Sequence, residues 1–133
     1  MNLTIATIAK QINASFEGDA SLLIDAISID SRSLQNGPHT LFFALIGPNN
    51  DAHSYIIDLI QQGVTHFVVQ YIPEDCVGKA HFLVVQNTLA ALQELASYHR
   101  SLFHFPVIGV TGSNGKTIVK EWLNFLLSPD YSI

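Results

Sequence analysis

Apolar residues at Ile5, Ile8, Ala9 and Ile12 fall on one helical face, and Thr4 stands where an N-cap belongs. The period then shortens. Residues 15–17 read as a short strand before a Gly18-Asp19 turn. Residues 23–31 alternate well enough for a strand, with Ile24, Ala26, Ile27 and Ile29 toward apolar surroundings. Gln35-Asn36-Gly37-Pro38 is a turn by its dipeptides. The run TLFFALI at 40–46 predicts a buried strand, ended by Gly47-Pro48-Asn49-Asn50. Asp51 is placed to cap a helix over 52–62, with Ile56, Ile57, Leu59 and Ile60 buried and Gly63 as the stop.

Further along, 66–70 and 82–85 predict strands, with a turn region between them at Pro73-Glu74-Asp75 and Gly78. Asn87 or Thr88 caps the longest helix, running to Leu102 with Leu89, Leu92, Leu95, Ala96 and His99 on one side. Phe105 to Ile108 reads as a short buried strand. Residues 118–127 read as an amphipathic helix whose Trp122 and Phe125 are expected in a core. Strands alternating with helices predict an α/β layered fold. The strand candidates before residue 86 suggest one small sheet, so the expected division is a mixed α/β domain at 1–85 and a second unit at 86–133.

Composition narrows the function. A chain of 133 residues suits one domain, or one small domain plus part of another. Its net charge of −5 gives no basic footprint, so a nucleic-acid partner is not expected. The single Cys76 rules out an internal disulfide framework, fits a reducing cytoplasm, and reads as an inert small hydrophobe rather than a nucleophile. The opening residues lack a positive segment followed by an apolar core, and no apolar run approaches the ~20 residues that span a bilayer. A cytoplasmic protein without membrane insertion is expected. No residue pattern fixes the oligomeric state, and a monomer is the expectation. His39, His66, His81, His99 and His104 show neither i,i+4 helical spacing nor a cysteine partner, so no structural zinc is expected. Asp25 and Asp30 do not make a convincing acid–base pair.

The chemistry concentrates at Gly109-Val110-Thr111-Gly112-Ser113-Asn114-Gly115-Lys116-Thr117, between the 105–108 strand and the last helix. Strand, glycine-rich turn ending in Gly-Lys-Thr, then helix is the setting in which backbone N–H groups and a helix N-terminus cradle phosphates. Lys116 is expected to reach the β/γ-phosphates of ATP and the Thr117 hydroxyl to ligate Mg²⁺. The general phosphate-loop pattern puts its first glycine at position 110, where this chain has valine, so the strict pattern fails by one position. A glycine-rich strand-to-helix turn without a ligand is the alternative.

With these residues in place, the chain resembles the Mur ligases, ATP-dependent enzymes that add amino acids to the peptidoglycan precursor. Thr111 to Thr117 match the family's Thr-Gly-(Ser/Thr)-x-Gly-Lys-(Thr/Ser) loop residue for residue, and the displaced glycine is the family's own variant. Asp30-Ser31-Arg32 resembles its Asp-(Ser/Thr)-Arg. The stretch from Gly37 to Leu45 resembles Pro-Gly-x-Leu-Phe-Val-Ala-Leu with glycine and proline exchanged. The stretch from Gly47 to His53 resembles Gly-x-x-x-Asp-(Gly/Ala)-His. Order and spacing agree over essentially the whole chain. Members adding the first two amino acids open instead with a glycine-rich Rossmann-like turn, absent here. Lys120-Glu121 is similar to the member that joins D-alanyl-D-alanine to UDP-N-acetylmuramoyl-tripeptide. The run from Ile118 to Leu123 is especially like forms of it fused to a C-terminal alanine racemase, which would add pyridoxal phosphate.

The resemblance implies an N-terminal domain that holds the UDP end of the substrate, followed by the first helix, strand, P-loop and helix of a truncated ATPase domain. It places Ser31 and Arg32 at the uracil or diphosphate, with Gly47, Asn49, Asp51, Ala52 and His53 in a loop closing over the nucleotide. ATP binding falls to Thr111, Gly112, Ser113, Asn114, Gly115, Lys116 and Thr117, with Lys116 and Thr117 catalytic. A chain of this extent is expected to be inactive by itself. Two plainer readings stand beside these: an internal Asp30–Arg32 pair at a strand end, and His53 as a first-turn helix residue. At the level of the chain the alternatives are the Mur ligase adding the third amino acid, a non-catalytic nucleotide-binding module, and an unrelated P-loop kinase or GTPase.

Overall fold

A computed structural model of the chain describes residues 2–32 and 37–133. Among them the elements follow in the order β1 (Leu3–Thr4), α1 (Ile5–Gln11), β2 (Ser15–Phe16), β3 (Leu23–Ile24), β4 (Ala26–Ser28), β5 (Thr40–Phe43), α2 (Ile56–Gln61), β6 (His66–Val69), β7 (His81–Val84), α3 (Thr88–Ser101) and α4 (Lys116–Leu127). Short 3₁₀ turns at Gly37–His39, Ala52–Tyr55 and Glu74–Cys76 join them. Gln35 and Asn36 of the expected turn lie outside the described residues, while Gly37 and Pro38 open the first of these 3₁₀ turns.

The main sheet has the order β2-β7-β6-β5-β4, with β4 to β7 mutually parallel and β2 antiparallel on β7. Successive side chains point to opposite faces, and each face has its own core. Leu41, Phe43, Val68 and Leu83 pack with Ile5 and Ile8 of α1 and Ala91 and Leu95 of α3. Phe42, Phe67, Val69 and Phe82 pack with Ile56 and Leu59 of α2. On the second face Phe67 stacks on Phe82 at 5.7 Å and meets Phe42 edge-on at 6.1 Å. Burial on both faces is why TLFF and HFVV read as unbroken apolar runs instead of alternating ones.

Several expectations are corrected. Residues 23–31 do not form one strand. Ile24 pairs with Leu3 in a two-stranded antiparallel sheet, Ala26 pairs with Thr40 in the main sheet, and Asp25 between them donates its N–H to the His39 carbonyl. One alternating run therefore serves two sheets, and Ile29 is left exposed. The 40–46 strand ends at Phe43, with Ile46 exposed. On α3 the buried positions are Thr88, Ala91 and Leu95; of the expected face Leu95 is buried and Leu92 packs against the same core, while Leu89 and Ala96 face solvent.

The chain forms two compact units, Met1–Phe103 and His104–Ile133. Ala91 and Leu95 sit in the core of α1, which ties α3 to the first unit. In the second unit α4 forms over nearly the predicted span. Residues 105–108 form no strand there and are exposed. A strand needs a neighbouring strand to take its N–H and C=O groups, and residues 104–133 contain no strand to pair with it. Trp122 and Phe125, expected in a core, are 67% and 77% exposed.

Candidate functional site

Because β4 to β7 run parallel, their carboxyl ends lie along one edge, the edge where open α/β sheets bind ligands. The segments leaving that edge are 29–32, 44–53, 70–71 and 85–88. Two motifs far apart in sequence, Asp30-Ser31-Arg32 and residues 47–53, are thereby brought to one side of the molecule. The Gly109–Thr117 segment belongs to the second unit.

At the end of β4 the Ser28 hydroxyl donates to the Asp30 carbonyl and accepts from the Asp30 N–H, turning the chain. Arg32 then closes on Asp30 through Nε to Oδ1 at 2.9 Å and Nη2 to Oδ2 at 3.0 Å, with its backbone N–H also on Oδ1. These side-chain and backbone hydrogen bonds from Arg32 hold the Asp30 carboxyl down at about 2. The internal pair is thus present, and it leaves Arg32 outside: its side chain is 87% exposed, with Nη1 taking no part in the pairing. Hydrogen bonding to Asp30 and its charge raise the Arg32 pKa, with a last contribution from Tyr55, whose hydroxyl donates to Asn50 Oδ1 at 3.0 Å. Through Tyr55 the Arg32 turn and the 47–53 loop are electrostatic neighbours.

The 47–53 loop closes on itself. Gly47 N–H donates to the Asn50 carbonyl at 2.8 Å, Ala52 N–H to the Leu45 carbonyl at 3.0 Å, and Ile46 bridges Asp51. Asp51 caps the 3₁₀ turn by accepting from the His53 N–H at 2.9 Å. The same oxygen meets His53 Nδ1 at 2.6 Å, and Oδ2 accepts from the Tyr71 hydroxyl at 2.6 Å. His53 Nε2 accepts the Gln70 N–H at 3.0 Å, which fixes the ring proton on Nδ1, donating to Asp51. Tyr71 stacks on His53, ring centroids 4.2 Å apart and planes 12° from parallel. Burial would raise the Asp51 carboxyl, but hydrogen bonds from Tyr71 and from the His53 amide and ring outweigh it and hold it below its ordinary value. The hydrogen bond to Asp51, with burial, raises the Tyr71 phenol.

Of the residues expected at the nucleotide, Gly47 and Asn49 are exposed, Ser31 and Asp51 half-buried, and Ala52 and His53 buried. His53 does lie in the first turn after Asp51, but its ring is satisfied by the Gln70 backbone N–H and by Asp51, not by solvent, and it braces the loop from inside. A pocket of about 150 Å³ opens beside this network, lined by Asp51, His53, Ser54, Tyr71, Asp75 and Cys76 among others. Its carboxylates and lack of a cation among the lining residues suit it poorly to a phosphate. Gln70 and Tyr71 went unread in the sequence. The available signal was a polar-aromatic pair directly after a buried parallel strand. Gln70 also accepts from the Thr88 N–H and hydroxyl with its side-chain oxygen, tying β6 to the start of α3.

In the second unit Gly112 and Gly115 take φ of +145° and +78°, backbone that L side chains rarely adopt. Gly115 is the N-cap of α4 and provides no side-chain acceptor, so the first-turn N–H groups have no cap from that residue. Lys116 folds back to donate to the Gly112 carbonyl. Thr111, Ser113, Asn114, Lys116 and Thr117 are all exposed. Among the described residues, no group of three or more His, Cys, Asp or Glu is placed to hold a metal ion, and no helix is long and apolar enough to cross a membrane.

No protein-family model matches the chain. Among curated proteins it is 36% identical over 121 residues to the UDP-N-acetylmuramoyl-tripeptide–D-alanyl-D-alanine ligase of Haemophilus influenzae, covering 91% of this chain and 26% of that one. It is also 36% identical over 108 residues to the UDP-N-acetylmuramoyl-L-alanyl-D-glutamate–2,6-diaminopimelate ligase of Bacteroides thetaiotaomicron, covering 80% of this chain and 22% of that one. Among solved structures, MurF from Acinetobacter baumannii matches with a TM-score of 0.83 at 28% identity, over 98% of this chain and 28% of that one. MurF from Thermotoga maritima in complex with ADP matches with a TM-score of 0.65 at 28% identity, over 80% of this chain and 24% of that one. The chain spans about a quarter of the length of the curated relatives it matches. On its motifs, its fold and these likenesses together, the chain belongs to the Mur ligase family.

Proposed function

We propose that this chain supplies the UDP-substrate-holding part and the phosphate loop of a ligase that uses ATP to join D-alanyl-D-alanine to UDP-N-acetylmuramoyl-tripeptide. The observation that carries this reading is the seven-residue match at 111–117, set on a helix start whose Gly115 lies at φ +78°. The Haemophilus influenzae relative and Lys120-Glu121 support the acceptor. By division of labour, the carboxyl edge of the first unit holds the UDP end, through Ser31, Arg32, Gly47 and Asn49, with Asp51, Ala52 and His53 shaping the loop. The remainder opens the ATP-binding part.

In the proposed reaction the terminal carboxylate of the tripeptide attacks the γ-phosphorus of ATP, releasing ADP and forming an acyl phosphate. The dipeptide amine then adds to the acyl carbon, and the tetrahedral intermediate collapses to amide and inorganic phosphate. Phosphoryl transfer asks the protein mainly for alignment and charge neutralisation. The glycines let backbone N–H groups approach the phosphates, and Lys116 exchanges its Gly112 carbonyl partner for phosphate oxygens. Thr117 offers one hydroxyl oxygen at the α4 start, which fits Mg²⁺, a cation that takes few protein ligands beside phosphate and water. When bound, Mg²⁺ neutralises charge developing on the transferred phosphoryl group.

In the full-length protein, Lys116→Ala is expected to abolish ATP turnover, and a near-normal kcat would overturn the role. The relative from Bacteroides thetaiotaomicron favours a second reading, a ligase adding the third amino acid, with equal identity. Product analysis with UDP-linked dipeptide and tripeptide substrates separates the two.

A further inference from the structure

We propose that Tyr71 is a positioning residue for the 47–53 loop, holding it in one conformation before ligand arrives; this rests on the reading that the loop closes over a uridine diphosphate group. The loop's own closure consists of two backbone bonds, Gly47 to Asn50 at the surface, where water competes, and Ala52 to Leu45 at its more buried root. Asp51 joins that closure to the body of the protein, and its two oxygens are filled from different elements. Oδ1 takes the His53 amide and ring, residues of the loop itself, while Oδ2 takes the Tyr71 hydroxyl, which arrives from the end of β6.

Tyr71 acts twice on the same node. Its ring covers His53, whose side chain is 0% exposed, and its hydroxyl holds Asp51, whose side chain is 38% exposed. Hydrogen bonds to an ionised acceptor are the stronger kind. Without the hydroxyl, Oδ2 turns to water and Asp51 beside the Ile46 bridge keeps only the His53 bonds on Oδ1, which come from within the loop. His53 completes the brace by accepting the Gln70 N–H, the residue just before Tyr71, so both ends of the network return to β6. A loop ordered in advance spares the ligand the entropy of ordering it.

Two readouts on the 133-residue chain test this: amide hydrogen exchange at Ala52 and His53 without ligand, and calorimetric titration with UDP. Tyr71→Phe keeps the stack and removes the hydroxyl; Tyr71→Leu removes both. Ile8→Val, in the opposite core cluster, controls for lost stability alone. The expectation is exchange about tenfold faster at both amides and UDP affinity about fivefold lower in Tyr71→Phe, no better in Tyr71→Leu, with neither change in Ile8→Val. Unchanged exchange in Tyr71→Phe overturns the proposal. Faster exchange with unaltered UDP affinity overturns the positioning role. Normal affinity with Phe but loss with Leu makes the ring a direct contact and overturns it also. If the wild-type chain binds no UDP while exchange still accelerates, the nucleotide reading of the loop falls, and the positioning role with it.

Discussion

His66 gives a prediction whose size follows from the structure. It lies in the middle strand β6, 5% exposed, with its ring 4.8 Å from the ring of His81 on β7 and Nδ1 2.9 Å from the Thr65 hydroxyl. Burial, then the charge of His81, push its pKa down to about 4, against a smaller upward pull from Asp19. In the unfolded chain the same imidazole titrates near its ordinary ~6.5. The folded value is the lower one, so acid favours the unfolded state, which takes up the proton first. Above pH 6.5 neither state is charged and nothing is lost. Stability falls as pH drops from about 6.5 toward 4, then levels off once both states are protonated.

Between pH 7.5 and 5.0 the two pKa values give a loss of about 2 kcal/mol, approaching about 3 kcal/mol at the acid limit. For a typical m-value of about 1.5 kcal/mol/M that is a shift of roughly 1 M in the urea midpoint. The assay is urea unfolding at both pH values followed by far-ultraviolet circular dichroism, because Trp122 lies in the second unit and does not follow the sheet. His66→Phe retains an aromatic ring against His81 and removes the titration. Comparing the two chains cancels groups that titrate in both. The wild-type loss should exceed the variant's by about 2 kcal/mol; equal losses would refute burial as the cause.

Three further outcomes are expected. Asn87 Oδ1 accepts the Ala90 N–H at 2.9 Å, so Asn87→Ala should lower the urea stability of the first unit by about 1 kcal/mol; an unchanged value would return α3 to the second unit. An ideal Cβ on Gly115 meets nothing within 4 Å, so Gly115→Ala is penalised only by its φ of +78°, roughly 1–2 kcal/mol, and should weaken ADP binding by the full-length protein about tenfold without moving the first unit's midpoint. Arg32→Ala should reduce UDP affinity in calorimetry at low salt, and unchanged binding would remove Arg32 from the diphosphate.

What could be read from the sequence was whatever its own neighbours decide. Thr4, Asp51 and Asn87 cap where they were expected to, because a cap bonds within three residues of itself. The turn at 112–116 was likewise visible, since the glycines that permit its backbone are contiguous with the residues it presents. What depended on a distant partner was not. Nothing within 23–31 says that its two halves pair with Leu3 and with Thr40. Large side chains suggested Leu89 for the buried face of α3, but α1 packs against Ala91, where a small residue permits close approach.

The same distinction divides the residues of the candidate site. Asp51 and Tyr71 stand 20 positions apart, and only the parallel register of β5 on β6 brings them to one edge. A motif that spans Gly47 to His53 therefore mixes two kinds of residue that sequence cannot separate. Gly47 and Asn49 face outward, whereas His53 is spent inward on Asp51 and Gln70. If the loop closes over a nucleotide, the outward residues should govern which ligand is held. The inward ones should govern how firmly the loop is set, for every ligand alike. Substitutions at Asn49 should accordingly change the ratio of UDP to other nucleoside diphosphates bound, while Tyr71→Phe should weaken all of them by a common factor. Ratios that shift equally in both variants would dissolve the distinction.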